Sequence, residues 1–578
     1  MEEKKYSEPS AEPLPTYGDS EVTKGTWSQR FIDSFKQDPN AIVSTSAGAD
    51  GGGFDIENAA QATAQSPLKR TLKGRHLQMI AIGGSIGTGL FVGSGSVLST
   101  GGPAALLIAY ILIGIMLYCT VHALGEMAVV FPVSGSFATY STRFIDPAWG
   151  FAMGWNYALQ WLVVLPLEIV AASLTIEYWG TITSNAAWVS IFWVLIVSIN
   201  LFGVRGYGEA EFVFAIIKVV AVIGFIIFGI VANCGGGPEG GYIGGKYWHS
   251  PGAFNNGFKG VCSVFVNAAF AFAGTELVGL AAAETANPRK SLPTAIKQVF
   301  WRIALFYIVS LTIVGLLVPY TDSRLLASHA ADAKASPFVI AIENAGVKGL
   351  PSVMNVVIMI AVLSVGNSSV YGSSRTLAAL AEQGQAPKFL AYIDRKGRPM
   401  WGIIVSAIIG LLCFLAASSA EADVFAWLMA ISGLSSIFTW GSICACHIRF
   451  RRAWKLQGHS LDELAFRSQP GVIGSWIGLI FNILVLIAQF WVGFAPVGYA
   501  TMSAGAKAES FFEAYLAAPI VIAFYIPYKF WYRTKFLRAK DMDLNTGRRD
   551  LDLGNLIEEE KAEQAAWPKW KKVYKFLC

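Results

Sequence analysis

Gly83-Gly84-Ser85-Ile86-Gly87-Thr88-Gly89 sits inside an apolar stretch running from about residue 77 to 99. A stretch of that length can cross a bilayer, but four glycines in seven residues do not hold a straight helix there at low cost. Much further along, Phe272-Ala273-Gly274-Thr275-Glu276 puts a glycine beside a hydrogen-bonding pair in the middle of another apolar stretch, 257–283. Backbone unwound at membrane depth is tolerated only where it lines a cavity or is buried in protein. The two interrupted stretches are the first and sixth of twelve, so they open two successive groups of five. Interrupted helices at matching places in two halves point to the central site of a transporter. The plainer alternative is that the glycines only let helices pack closely. It suits a lone pair of glycines better than two breaks in register.

The composition around these breaks is that of a membrane protein. Of 578 residues, 54% are hydrophobic and 14% charged, where a soluble chain averages roughly 25% charged. Twenty charges lie in residues 1–75 and twenty in 529–578, so 43 of the 83 serve the 453 residues between. A segment so poor in charge cannot cover itself in water, which excludes a soluble enzyme, a nucleic-acid binder and a disordered chain. The net charge of +5 comes without a basic patch interleaved with aromatics, so no nucleic-acid partner is expected. The twelve apolar stretches are 77–99, 103–131, 149–180, 187–204, 210–232, 257–283, 299–319, 351–382, 401–419, 423–447, 472–495 and 511–531. The expected organisation is a disordered tail over 1–75, a twelve-helix domain over 76–531 and a second tail over 532–578.

An even number of crossings puts both tails on one side. Tail-side loops carry fifteen Lys and Arg, with Arg302 counted among them, and the opposite loops carry few, among them Lys246, Arg324, Lys334 and Lys507. Lys69, Arg70, Lys73 and Arg75 before the first stretch agree, so the positive-inside rule places both tails in the cytosol. No signal peptide is visible, because the first seventy residues are polar. Ser44 to Gly53 reads as linker. Trp27, Phe31 and Phe35 have helical spacing, consistent with a small docking or interfacial helix or with a transient one. The seven cysteines fall mostly in apolar runs, and Cys444 and Cys446, two apart on a helix, do not share a face, so no zinc site is expected. The only glycosylation triplet, Asn367-Ser368-Ser369, lies mid-span and reads as unused.

The breaks suggest a ligand. They free N–H groups at the positive end of a half-helix, which suits a carboxylate, and carbonyls at the other end, which suits an ammonium. A zwitterionic amino acid carries both groups on one carbon.

Several motifs add a family resemblance. Gly83 through Phe91 resembles the first-helix signature of the amino acid–polyamine–organocation superfamily. Gly125-Glu126-Met127-Ala128, Pro132 to Phe137, Trp149-Gly150-Phe151 with Gly154 to Tyr157, Phe272 to Glu276 through Glu284 to Lys290, Asn367 to Arg375 and His447 to Arg451 are similar to the fungal amino acid permeases. The likeness covers about residues 70 to 540, and the ending Trp567 to Cys578 is similar to the tails of general amino acid permeases. The resemblance implies an all-α membrane protein with twelve transmembrane helices, an inverted five-plus-five repeat with helices 1 and 6 broken, and two extra helices. It further implies proton-coupled uptake of amino acids, broad in range, at the fungal plasma membrane.

Charges at membrane depth point to function. Glu168 follows Leu165-Pro166-Leu167, and the family places a substrate-selecting carboxylate in this context; a packing role is the alternative. Lys218 is flanked by Ile217 and Val219, and in related bacterial transporters a lysine of this helix cycles a proton. Glu276 at the second break is suited to bonding free N–H groups. Glu126, one turn from His122, is a candidate for coupling or gating, with simple capping as the alternative. Ser432 occupies a position where the family tunes side-chain choice.

The expected substrate contacts are Ser85, Ile86, Gly87, Thr88, Gly89, Glu168, Phe272, Ala273, Gly274, Thr275 and Ser432, with Phe272 as an aromatic gate and Lys218 and Glu126 in proton coupling. An amino acid-sensing receptor on the same fold and a permease of narrower range are the alternatives. No constellation of His, Cys or paired carboxylates supports an enzyme, and no cofactor or metal is called for. Lys529, Arg533, Lys535 and Arg538 suit anionic headgroups of the lipid bilayer. Leu551, Leu553, Leu556 and Ile557 form a candidate apolar stripe. The terminal Cys578 among lysines and aromatics is a candidate for acylation, or else ends an unmodified tail. Lys4, Lys5 and Lys24 are candidate acceptors for a ubiquitin ligase.

Overall fold

The computed structural model describes residues 26–37, 54–180, 183–238, 241–327, 336–417, 421–548 and 567–568. Lys4, Lys5, Lys24, the linker 44–53, the stripe 551–557 and Cys578 lie outside them. The regular structure of the described residues is helical, with two isolated β-bridges beside it.

Two short helices, α1 (Trp27–Asp33) and α2 (Ile56–Ala64), precede the membrane part. The first crossing consists of α3 (Gly74–Gly83), a break, α4 (Thr88–Phe91) and the first turns of α5 (Gly93–Val130). At Gly102-Pro103 α5 turns sharply, with Gly102 at φ +82°, and the rest of α5 is the second crossing. After the short α6 (Phe137–Phe144) come α7 (Pro147–Glu177), α8 (Asn185–Asn200) and α9 (Gly203–Asn233), crossings three to five. The sixth crossing is α10 (Gly257–Ser263), α11 (Phe265–Phe272), a second break and α12 (Leu277–Leu280). The seventh is α13 (Pro288–Trp301), a π-helical stretch Arg302–Val309 and α14 (Ser310–Leu317). The connection carries α15 (Ser323–Ala327) and α16 (Pro337–Asn344). The eighth to eleventh are α17 (Leu350–Glu382), α18 (Met400–Gly410), α19 (Glu421–Leu456) and α20 (Gly471–Phe494). The twelfth is α21 (Ala504–Tyr515) with α22 (Ala517–Tyr532), bent by 63° at their junction.

The twelve expected stretches thus all reappear as helical segments, and the chain is a multi-pass membrane protein. Among the described residues, eight helical spans are long and apolar enough to cross, the sixth and seventh crossings counted with their pieces joined; the bent pair makes a ninth, and α8 and α18 are shorter. The first crossing needs its broken pieces taken together.

Burial sorts the helices into inner and outer. In α7, 89% of the apolar window is buried, whereas in α9 and α20 only 28% is. On α9 the exposed residues Val213, Ile216, Val220, Ile223, Ile227 and Ile230 recur every three or four positions, while Glu211, Ala215, Lys218, Val222, Phe225 and Gly229 are buried. Such an apolar stripe would be an aggregation patch in water; in a bilayer it is the lipid face. The inner helix α7 lies along α17.

Both described tail pieces pack on the tail end of this bundle. The expected helix near Trp27 is present as α1 and docks through the residues that follow it. Buried Arg398 donates to the Ser34 carbonyl at 3.2 Å and to its hydroxyl at 3.0 Å, and lies over the Phe35 ring at 4.1 Å. Tyr392 Oη donates to the Phe35 carbonyl at 2.6 Å. After α22, Leu537 N donates to the Ile145 carbonyl at 3.0 Å, and Arg449 donates to the carbonyls of Leu537 and Phe144. Arg143 pairs with Asp543 at 3.1 Å, and Arg548 with Glu463 at 3.0 Å. Met542 and Leu544 are buried.

Candidate functional site

The two breaks meet. Gly274 has φ +96°, a conformation that glycine adopts without a side-chain penalty. A Cβ there would stand 3.0 Å from the Gly84 carbonyl oxygen and 3.2 Å from the Trp161 ring. Glu276 stabilises this turn as expected of it. Its Oε1 accepts from Gly274 N and from Tyr157 Oη, each at 3.2 Å, and its Oε2 accepts from Trp440 Nε1 at 3.2 Å.

Between the breaks lies a narrow cavity lined by Ser85, Gly87, Thr88, Gly89, Trp161, Val164, Glu168, Phe270, Ala273 and Val365. Its space for a sphere of water size is about that of one molecule, so side chains must draw back before an amino acid enters. Glu168 is buried, and its Oε2 accepts from Thr88 Oγ1 at 2.5 Å. Its Oε1 is buried with no hydrogen-bond partner among the described residues. An unpaired carboxylate oxygen in a low-dielectric wall is costly unless a ligand, a water or a proton completes it.

Of the sequence-derived substrate contacts, Ser85, Gly87, Thr88, Gly89, Glu168 and Ala273 come together on this lining. The others sit elsewhere. Ile86 is buried in the core behind the break. Phe272 does not line the cavity: its ring packs on Tyr307 at 4.2 Å and Tyr110 at 5.6 Å, and Phe270, two residues earlier, is the lining aromatic. The reason is helical phase, since residues two apart point to different sides of α11. Gly274 is the crossing point with Gly84, and Thr275 Oγ1 donates to the Phe272 carbonyl at 2.7 Å while accepting from Arg302. Ser432 Oγ is buried without a partner. The next residue, Gly433, packs against the α11 segment that carries Phe270.

Lys218 reaches the first break directly. Its Nζ donates to the Gly83 carbonyl and to Ser364 Oγ, each at 2.7 Å, and lies 3.7 Å from Glu211 Oε1. Glu126 is in a separate cluster, where its carboxylate meets Arg451 at 2.5 Å, His447 at 3.1 Å and the Ser468 N–H at 2.7 Å.

Arg302 needs correcting. Counted by sequence as a loop cation, it is buried inside the seventh crossing, where it donates to the Ala81 carbonyl and to Thr275 Oγ1. Tyr307 lies on the same π-helical stretch. Its Oη donates to the Ala271 carbonyl at 2.8 Å and lies 3.1 Å from the Ser85 carbonyl and 3.2 Å from Ser85 Oγ. These two side chains supply donors to the carbonyls that both breaks release. The margin of the positive-inside count survives the loss of one cation.

The family model described as amino acid permease matches residues 76–541. The general amino-acid permease GAP2 of Candida albicans is 64% identical over 95% of this chain and 93% of its own. The general amino-acid permease GAP1 of Saccharomyces cerevisiae is 58% identical over 96% and 93%, and the histidine permease of the same yeast 52% identical over 88% and 85%. Among solved structures, a nucleobase-cation-symport-1 family transporter in a closed conformation aligns with TM-score 0.45 and 16% identity over 83% of this chain and 96% of that one.

Proposed function

Because the chain belongs to the amino acid permease family, a family of transporters and not of enzymes, we propose that it carries amino acids into the cell together with protons, over a broad range, at the plasma membrane. The observation that carries the reading is the open Glu168 Oε1 on a cavity flanked by two broken helices. Backbone N–H groups of Ser85 to Gly89 face the substrate carboxylate. The backbone at Ala273, the part of the second break that lines the cavity, and Glu168 face its ammonium. Side-chain choice falls to Phe270, Val164 and Val365 on the lining, with Ser432 behind them.

Lys218 is the proton-carrying group in this reading, since it holds the carbonyl at the first break. Glu126 stays out of the proton path, because an arginine, a histidine and a backbone N–H occupy its oxygens. Breadth of range is supported by the two general permeases among the relatives. Both tails are assigned to the cytosol, where Lys4, Lys5 and Lys24 are candidate acceptors for a ubiquitin ligase and the basic set from Lys529 meets anionic lipid.

The test is radiolabelled amino acid uptake in a yeast lacking its own permeases, with and without a protonophore. Concentrative uptake of several amino acids that the protonophore abolishes is the expected result. No uptake, with amino acid-dependent signalling retained, overturns it in favour of a sensor.

A further inference from the structure

One face of α9 carries Tyr207, Glu211 and Lys218, spaced four and seven apart, and all three are buried. The opposing face of α17 carries Ser364, Asn367, Ser368, Tyr371 and Arg375, also buried and at helical spacing. The two helices run in opposite directions and pack together, so their polar faces form one continuous seam inside an otherwise apolar contact. It begins at the first break, where Lys218 Nζ holds the Gly83 carbonyl at 2.7 Å. Ser364 Oγ then accepts from Lys218 Nζ at 2.7 Å and donates to Glu211 Oε1 at 2.5 Å. Beyond Glu211, Tyr207 Oη lies 3.1 Å from Ser368 Oγ and its ring stacks on Tyr371 at 4.3 Å. Tyr371 Oη donates to Glu284 Oε2 at 2.6 Å, and Arg375 lies 3.3 Å from that oxygen at the tail end.

Within the seam, Glu211 Oε2 and Asn367 Nδ2 are buried and make no well-formed hydrogen bond among the described residues, the Asn367 amide reaching the Glu211 carboxylate only as a loose contact while its amide oxygen is taken by Asn200 at 2.9 Å. A purely structural ion pair would be expected to satisfy both carboxylate oxygens. A carboxylate oxygen held only by a loose amide contact leaves room for protonation to change.

We propose that Glu211 is the proton acceptor for Lys218, through Ser364, and that the α9–α17 seam is the route by which the transported proton leaves toward the tail end. The inference rests on the proton-coupled reading above. In the step, an N–H bond of the Lys218 ammonium breaks as Ser364 Oγ takes that proton. The Ser364 O–H bond breaks as its own proton passes to Glu211 Oε1. An ion pair becomes a neutral amine and a carboxylic acid, and the hydroxyl is regenerated. The charge-assisted bond from Lys218 to the Gly83 carbonyl becomes a neutral one, roughly half as strong, so the hold on the first break loosens as the proton moves on. Release of the proton from Glu211 leaves the pair one charge more negative, and uptake of a fresh proton by Lys218 from the cavity side restores the ion pair.

The charged and titratable groups around this pair are few. Glu168 of α7 is within electrostatic reach of Lys218, and Glu284 and Arg375 lie at the far end of the seam, beside Tyr207 and Tyr371. His76 of α3 packs on the Gly208 turn of α9 and pairs with Glu209 at 3.2 Å on the outer side.

The experiment uses the full chain reconstituted in vesicles of phosphatidylcholine and phosphatidylserine, with radiolabelled L-alanine. Two rates are measured for each protein: accumulation driven by a pH gradient, and exchange of internal for external alanine without one. The readout is their ratio. Lys218→Met tests the underlying reading; if that variant and the unmodified protein accumulate alike, the proton-coupled reading at Lys218 fails. If Lys218→Met loses accumulation, Glu211→Gln is expected to lower the ratio about tenfold or more, a change worth about one pKa unit of coupling. Ser364→Ala is expected to lower it in the same sense, and Glu211→Asp to recover part of it. A ratio kept within about twofold by both Glu211→Gln and Ser364→Ala overturns the inference alone. So does an equal fall of both rates, which marks a packing role.

Discussion

Gly274 combines a left-handed φ of +96° with a neighbour, the Gly84 carbonyl, 3.0 Å from where a Cβ would stand. A Gly274→Ala change therefore carries about 1–2 kcal/mol of backbone strain on top of a steric push that separates the breaks. Uptake is expected to fall to below about a tenth, with surface protein retained, as read by uptake assays beside surface labelling. Gly224→Ala, on α9 with nothing within 4 Å of its added carbon, is the control and leaves both unchanged. Gly87→Val places its Cβ 2.4 Å from Val365 Cγ2 on the cavity wall, and is expected to abolish uptake at unchanged surface level; normal uptake would show that this wall yields freely. The glycines were legible in sequence because clustering is a local property. The side chains that hold the breaks were not, because their partners are carbonyls from distant segments. Arg302 looked like one more cation near a helix end, and nothing in its own neighbourhood names Ala81 or Thr275.

At the scale of the element, the π-helical stretch of the seventh crossing explains how one helix serves both breaks. In an α-helix, residues five apart point about 140° away from each other, but the wider turn over Arg302–Val309 brings Arg302 and Tyr307 toward one side. Tyr307→Phe keeps the ring on Phe272 and removes only the hydroxyl. The expected loss is about 1–2 kcal/mol, seen as a lower unfolding midpoint in detergent together with slower uptake. An unchanged midpoint would mean that water replaces the hydroxyl. Helix lengths were readable because bilayer thickness sets them. The apolar pattern does not announce the short α2, although Asp55 caps it by accepting from Glu57 N and Asn58 N, each at 3.1 Å. Nine residues are too few to be helical on their own, and α2 owes its order to docking on α6 and α17, which local sequence does not display.

For the whole molecule, the segment after α22 is a strap held by charge. Burial pulls the Asp543 carboxyl upward, but Arg143 and the N–H groups of Asn545 and Thr546 outweigh it and leave it below the usual carboxylate range. A lowered folded pKa means stabilisation that is present above the unfolded value of about 3.9 and lost as pH falls through the folded one. Hydrogen exchange over residues 537–548, corrected for intrinsic rates, is therefore expected to be flat from about pH 8 to 5 and to rise only in stronger acid; a rise near pH 6 would assign the hold to another group. Deleting residues 548–578 is expected to change the time the protein stays at the surface and to leave substrate affinity alone; the reverse pattern would place that tail in the transport cycle. One contact here reaches further. A carbon added to Gly547 would meet Ala64 of α2 at 3.0 Å, so the strap and the segment ahead of the first crossing share a boundary. Substitutions made on either side of it, at Ala64 and at Asp543 for instance, will not act as independent edits: their combined effect should depart from the sum of the two, and a signal written on one terminus will be read against the state of the other.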